Sequence, residues 1–469
     1  MPSNDLIFCS VTKLASLVRS KEVSPVDLVS DYLQRIEQRN GAINAIVTVA
    51  PDVIEQARRA EALIMRGAAV GPLHGVPLTI KDTIATAGIR TTSGSRVRKD
   101  LVPTADATPV ARLKAAGAII LGKSNTPEMA IPYETDNPIF GRTNNPYDLQ
   151  LTAGGSSGGE AAAIAAGLSP GGVGSDLSGS IRVPAHFCGI VGLKPTSGRI
   201  PMDGHVPSAR ATLAHAACLG PMARTVADVS LLFEVLAGIE ADASADSSHD
   251  LDQLSGVEVC WYDYDGMTPV SRDTRTAVRA AVEALEKAGL RCFEKQPPAV
   301  AEGGRLWVEL FAEPSANHLR EFYSGCEELA GPLVRKILDT GDQRTQRSPE
   351  ELAKTLQERD RLRGELLAMM ESTPLMVAPV GATPAFPHNS RKVSVDGQSI
   401  SVFRAFSYSQ AFNVFDLPAV VVRAGSTAAG LPIGVQIVGR PFAEQTILKA
   451  AAIIEAELGA STPPAQFGY

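Results

Sequence analysis

Apolar residues recur at helical spacing through the first part of the chain, 10–66. Ser24-Pro25-Val26-Asp27 reads as an N-cap followed by a first-turn proline and an acid, and Leu28, Tyr32, Leu33 and Ile36 then share one face. The period changes at Val76-Pro77-Leu78-Thr79-Ile80, a short apolar run that ends on Lys81-Asp82 and predicts a buried strand. Between 106 and 121 a helical pattern (Val110, Leu113, Ala116) leads into a second apolar strand, Ile119-Ile120-Leu121. From Glu160 to Leu168 the chain is so rich in alanine that a helix there must pack closely on its neighbours, and Gly171 to Leu177 predicts the next strand. Strand patterns return at Leu375–Val380, Ala419–Val422 and Ile433–Val438, before a last helix over about 442–457.

Alternating helices and buried strands predict an α/β fold with a central mixed β-sheet flanked by helices on both faces. Strands at both ends of the chain favour one large domain, 1–469, over a string of modules. Its parts read as N-terminal helices (10–66), a core (71–225), a variable helical part (250–375) and returning strands with a final helix (375–469). The polar stretch 240–250 reads as a loop. Two amphipathic helices, about 272–288 and 350–371, are expected in the variable part with irregular sequence between them.

A chain of 469 residues with 44% hydrophobic and 20% charged residues can bury a large core. The formal charge of −7, without a Lys/Arg cluster, excludes a nucleic-acid-binding design. Six scattered cysteines with no CxxC pairing favour neither disulfides nor a zinc site, and suit a reducing cytoplasm. No secretory signal is read at the N-terminus and no apolar run reaches about 18 residues, so no membrane span is expected.

The chemistry concentrates between Leu151 and Thr196, where Ser156/Ser157 and Ser180 sit in glycine-rich turns on either side of the alanine-rich stretch. Glycine lets backbone approach a reacting atom, and serine provides a nucleophile or a proton relay. Three motif readings compete. Gly117 to Ser124 matches the P-loop pattern GxxxxGK[ST], but its four intervening residues, Ala118 to Leu121, have the composition of a buried strand, not of an open phosphate cradle. Gly155-Ser156-Ser157-Gly158-Gly159 matches the nucleophile elbow GxSxG with Ser157 at its centre. That reading requires a Ser–His–Asp α/β-hydrolase, yet none of His186, His205, His215, His249, His318 and His388 has a distinctive setting, and the residues before the elbow read as loop.

The third reading takes Lys81, Ser156 and Ser180 together. GVPLTIKD (75–82), NNPYDLQLTAGGSSGGEAAAIAAG (144–167), GSDLSGSIRVPAHFCGIVGLKPT (174–196), AFNVFDLPAV (411–420) and GLPIGVQIVGRPF (430–442) resemble the amidase signature family, in the right order and over nearly the whole chain. The resemblance implies hydrolysis of a carboxylic amide through a seryl acyl-enzyme, with no cofactor and no metal. It makes Lys81 the base, Ser156 a relay serine on a cis peptide bond, and Ser180 the nucleophile. It places the oxyanion hole in the amides of Leu177, Ser178, Gly179 and Ser180. Ser178 stands where the family's commonest form has glycine, which adds a Cβ and a hydroxyl beside the substrate.

A lysine base must be neutral, so its pKa has to fall by about three units from the free value, at a cost of roughly 4 kcal/mol that burial can impose. An alkaline activity optimum follows. Ser157 is expected to support by hydrogen bonding, Asp176 and Arg182 to form a buried ion pair bracing the nucleophile turn, and Cys188 and His186 to be core residues. The segment Met129–Tyr133 and the pair Thr152-Ala153 are expected pocket walls, and substrate specificity is expected in 125–150, 200–215 and 300–410. The partner is a small amide, with neither nucleic acid nor membrane, and the oligomeric state is left open, a homodimer included. The alternative within the family is the glutaminase component of a tRNA-dependent amidotransferase. Such chains tend to carry a tyrosine-rich stretch late in the sequence, and residues 324–407 contain no tyrosine.

Overall fold

The computed structural model describes residues 4–239, 254–339 and 347–468; the loop expected at 240–250 lies outside them. In chain order the strands are β1 (Ile46–Val49), β2 (Pro77–Lys81), β3 (Ile119–Ser124), β4 (Asn144–Asn145), β5 (Asp148–Thr152), β6 (Gly171–Asp176), β7 (Val191–Lys194) and β8 (Cys218–Ala223). They continue as β9 (Glu258–Trp261), β10 (Arg291–Glu294), β11 (Leu375–Pro379), β12 (Lys392–Val395), β13 (Gln398–Ser401), β14 (Ala419–Ser426) and β15 (Pro432–Gly439). Eleven of them form one sheet in the order β1-β3-β2-β6-β8-β7-β14-β15-β11-β9-β10, while β4–β5 and β12–β13 are separate pairs. The sheet is mixed: β2 runs parallel to β3 and β6, β9 parallel to β10 and β11, and the centre is antiparallel.

The helix Pro25–Ile43 begins as its sequence indicates, with the Ser24 hydroxyl accepting from the amides of Val26 and Asp27. It does not run on through 66. Asn44 adopts a left-handed conformation, the Asn40 side chain accepts the amides of Ala45 and Ile46, and β1 then pairs with β3. Short polar capping and edge pairing therefore override the helical pattern there. A second difference lies in 250–375. Besides the helices Arg272–Lys287 and Pro349–Ser372, this part contributes β9 and β10 to the main sheet. Its supposedly irregular middle folds into helices Pro298–Trp307, Glu313–Tyr323 and Pro332–Asp339, with a π-helical turn at Val308–Ala312 between the first two.

The alanine-rich segment forms the helix Gly158–Ala165, every residue of it buried. Close packing explains its composition. A Cβ on Gly159 would fall on the backbone of Asn125, and one on Gly158 on the Thr135 hydroxyl.

Candidate active site

The site grows from the C-terminal ends of two neighbouring parallel strands, where a sheet of this kind leaves a crevice. Lys81 is the last residue of β2, and β6 ends at Asp176 before the turn that carries Ser180. Because β2 is buried along its whole length, the lysine amine cannot reach solvent. Its Nζ lies 2.6 Å from Ser156 Oγ, 3.0 Å from Ser157 Oγ and 2.9 Å from Ser175 Oγ. Burial drives its pKa down from 10.5 to about 7, although the carboxylates of Asp176 and Glu160 pull in the other direction. Three hydroxyl partners suit either state of this amine: an ammonium donates three hydrogen bonds, whereas a neutral amine donates two and accepts one.

Ser156 and Ser157 precede the alanine-rich helix, and the Gly155–Ser156 peptide bond is cis. Ser157 is held behind the lysine: its Oγ donates to Ser175 O at 3.3 Å and accepts the Ser175 amide at 3.2 Å. No histidine among the described residues is hydrogen-bonded to it, which removes the Ser–His–Asp reading built on Ser157. The Ser157 amide donates to Ser180 O at 3.1 Å, tying the two serine turns together.

The turn after β6 is braced from inside. Asp176 and Arg182 form an ion pair with both side chains fully buried, at 3.0 Å between Nη2 and Oδ1 and 3.1 Å between Nε and Oδ2. Burial alone would raise the Asp176 pKa, but the Arg182 guanidinium holds it well below the usual carboxylate range. Arg182 also donates to Ser409 O, Gln436 Oε1 and Asn413 Oδ1, so it has no free donor for a ligand. One expected oxyanion donor is engaged: the Gly179 amide donates to Asp176 Oδ1 at 2.8 Å. Of the four expected donors, the amides of Leu177, Ser178 and Ser180 remain as candidates. Two braces were not legible in sequence. Trp307 Nε1 donates to Leu177 O at 2.9 Å, and Tyr133 Oη donates to Ser178 O at 2.8 Å. With both carbonyls held, the planar peptides that follow have their N–H directions set as well.

Ser156, Ser175, Ser178 and Ser180 line a cavity of about 410 Å³. Met129 lines it too, in a left-handed conformation (φ 52°) that a non-glycine residue adopts only where its surroundings impose it. Thr152 does not: it is fully buried on β5, where its hydroxyl accepts the Gly154 amide, so its place as a pocket wall is withdrawn. The rest of the wall comes from segments remote in sequence, including Met202, His205, Trp307, Leu319, Ile337 and Phe403. His186 is a core residue, its Nδ1 accepting from the Gly434 amide and its Nε2 beside Thr383 O. Cys188 is a buried thiol whose pKa burial pushes up. The P-loop match fails structurally. Ile119–Ser124 is the buried strand β3, and Lys123 Nζ is engaged by Ile84 O and by Thr86 Oγ1.

Among the described residues no group of His, Cys, Asp or Glu could hold a metal ion, and no helix is long and apolar enough to cross a membrane.

Comparison with known proteins sets the class. A family model for amidases matches residues 27–448. The chain is 34% identical to an acylamidase of Rhodococcus erythropolis, over 97% of each chain. It is also 34% identical to a component chain of the Glutamyl-tRNA(Gln) amidotransferase of Moorella thermoacetica, over 96% of this chain and 97% of that one. Among solved structures, 6-aminohexanoate cyclic dimer hydrolase in complex with substrate superposes with a TM-score of 0.85 at 29% identity, covering 98% of this chain and 99% of its own. The protein is an amidase, a hydrolase of carbon–nitrogen bonds in amides. It belongs to the amidase signature family.

Proposed function

We propose that amide hydrolysis runs through Lys81, Ser156 and Ser180. The observation that carries this reading is the fully buried Lys81 amine, 2.6 Å from Ser156 Oγ and with its pKa lowered to about 7. Neutral Lys81 draws the Ser156 proton while Ser156 takes the proton of Ser180, and Ser180 Oγ attacks the amide carbonyl. The tetrahedral oxyanion is stabilised by the amides of Leu177, Ser178 and Ser180. Preorganised donors of this kind are each worth about 3–4 kcal/mol in comparable sites. Proton return through Ser156 to the departing nitrogen breaks the C–N bond and leaves an acyl ester on Ser180. Water, activated by the same pair, then releases the carboxylate and restores the hydroxyl.

Mass spectrometry after rapid quench tests the assignment. The wild type carries an acyl mass on the peptide containing Ser180, and Ser180→Ala carries none. An adduct on Ser157 that persists in Ser180→Ala would sink it.

The second reading, glutamine hydrolysis within a larger amidotransferase assembly, has the Moorella relative in its favour. The chemistry of the cavity wall speaks against it.

A further inference from the structure

The amidase reading leaves open which amides enter the cavity, and the wall is informative on this point. Among the described residues it is lined by no lysine, arginine or glutamate, and burial holds its histidines, His205 and His318, toward the neutral form. Its one aspartate, Asp176, is saturated by Arg182, Asn413 and the amides of Gly179 and Ile181. The polar atoms of its large aromatic residues are turned into the protein. Tyr133 Oη donates to Ser178 O and accepts from Gln410 Nε2, while Trp307 Nε1 donates to Leu177 O. What these residues offer the cavity is ring carbon. Trp307 and Phe403 meet edge to face at 5.1 Å, with Tyr133 6.2 Å from Phe403. Met129, Ile131, Leu319 and Ile337 add aliphatic surface.

We propose that the cavity selects uncharged amides carrying an aromatic or bulky alkyl group, and rejects the zwitterionic amide glutamine. The inference rests on the cavity being the site of Ser180 chemistry. Apolar carbon buried here leaves water, and an aryl ring can pack edge-on against Trp307 or Phe403. Glutamine would bring an ammonium and a carboxylate into a wall whose described residues offer no free counter-charge, and isolated buried charges are strongly disfavoured. The Arg210–Glu321 pair, 3.6 Å apart and largely exposed, lies outside the lining and is already mutually neutralised.

The test compares kcat/KM for benzamide, cyclohexanecarboxamide, propionamide, succinamic acid and glutamine, on the full chain and on Ser180→Ala. Benzamide and cyclohexanecarboxamide are expected to exceed glutamine and succinamic acid by at least about 100-fold. A partly exposed wall position provides a second variant: Ala316→Asp adds a carboxylate to the lining without opening the core. It should lower benzamide turnover about 10-fold and propionamide turnover by clearly less, because propionamide buries less apolar surface against the wall. Glutamine turnover matching benzamide, with Ser180→Ala inactive on both, would overturn the substrate class alone. Hydrolysis surviving in Ser180→Ala would overturn the catalytic reading beneath it. Equal losses on benzamide and propionamide in Ala316→Asp would show that the wall does not select.

Discussion

Lys81 shows how much one residue depends on its place. In sequence it is a lysine after an apolar run, a pattern that ordinarily ends in solvent. In the fold it has three hydroxyl partners and no route to solvent, and its pKa falls from 10.5 to about 7. Two consequences follow in opposite experiments. Catalysis through a neutral amine gives kcat/KM an acid limb that rises through about pH 7 and then levels; a profile that falls across that range contradicts the assignment. Stability shifts in the same direction. The folded state resists protonating Lys81, so the penalty is complete below about pH 7 and fades as pH rises from there toward 10.5. In Lys81→Met the acid limb disappears with the activity, and urea midpoints lose this part of their pH dependence. The two neighbouring serines separate by the same logic. Ser180→Ala should lose about 10⁴-fold or more in kcat, whereas Ser157→Ala, which removes one of three partners of the amine, should lose far less.

At the scale of elements, the turn that carries Ser180 and the helical cover are each held by one buried carboxylate. Asp176 gathers the amides of Gly179 and Ile181 onto its oxygens and pairs with Arg182, so the turn is shaped by charge from within. Asp176→Asn leaves the Arg182 guanidinium buried without its counter-charge, a loss of about 3–5 kcal/mol that a shift in the urea midpoint would register. Glu128 does the corresponding work for the cover. It accepts the Tyr323 hydroxyl at 2.7 Å and the Gly331 amide at 2.9 Å, anchoring the end of helix Glu313–Tyr323 and the start of helix Pro332–Asp339. Those helices bring Leu319 and Ile337 to the cavity. Glu128→Ala strands the Gly331 amide and leaves the Tyr323 hydroxyl with Ser95 Oγ alone, a cost of about 1–3 kcal/mol. The expected kinetic signature is a raised KM for a bulky amide with kcat on a small one preserved; a uniform fall in kcat would point instead to the serine turns.

The whole molecule is two sets of strands joined at one seam. Residues 46–223 build the six strands from β1 to β7 in the sheet order, 258–439 build the five from β14 to β10, and β7 meets β14 through Leu193 opposite Val420. Lys81, Ser156 and Ser180 all come from the first set, yet Arg182 reaches across to Ser409, Asn413 and Gln436 of the second. The last helix, Glu444–Leu458, clamps both: Glu444 accepts the Thr196 amide and Glu455 the Val226 amide, while Ile447, Leu448 and Ile454 are buried. A chain ending at 443 keeps every proposed catalytic residue and should still lose activity along with cooperative unfolding, as circular dichroism on a thermal ramp would show. Retained activity in that truncation would contradict the joint dependence.

Much of this is legible in the chain wherever a pattern is local. The strand running into Lys81, the strand expected over Gly171–Leu177, the glycine-flanked serines and the alanine-rich helix follow from short-range sterics and apolar period, so sequence alone determined the sheet class, while the resemblance to the amidase signature family supplied the three residues on which the chemistry is proposed to depend. It could not show that Gly179 gives its amide to Asp176, that Thr152 turns away from the cavity, or that β9 and β10 join the sheet from a region that reads as helical. Those outcomes depend on which distant groups meet. The bonds that Trp307, Tyr133, Glu128 and Ser175 make carry no signature in the chain, because a hydrogen bond between residues far apart in sequence leaves no local pattern. Tertiary structure alone decided how low the Lys81 pKa falls and that the cavity wall is mostly carbon, since both follow from what the fold excludes: water from the amine, and lysine, arginine and glutamate from the described part of the wall.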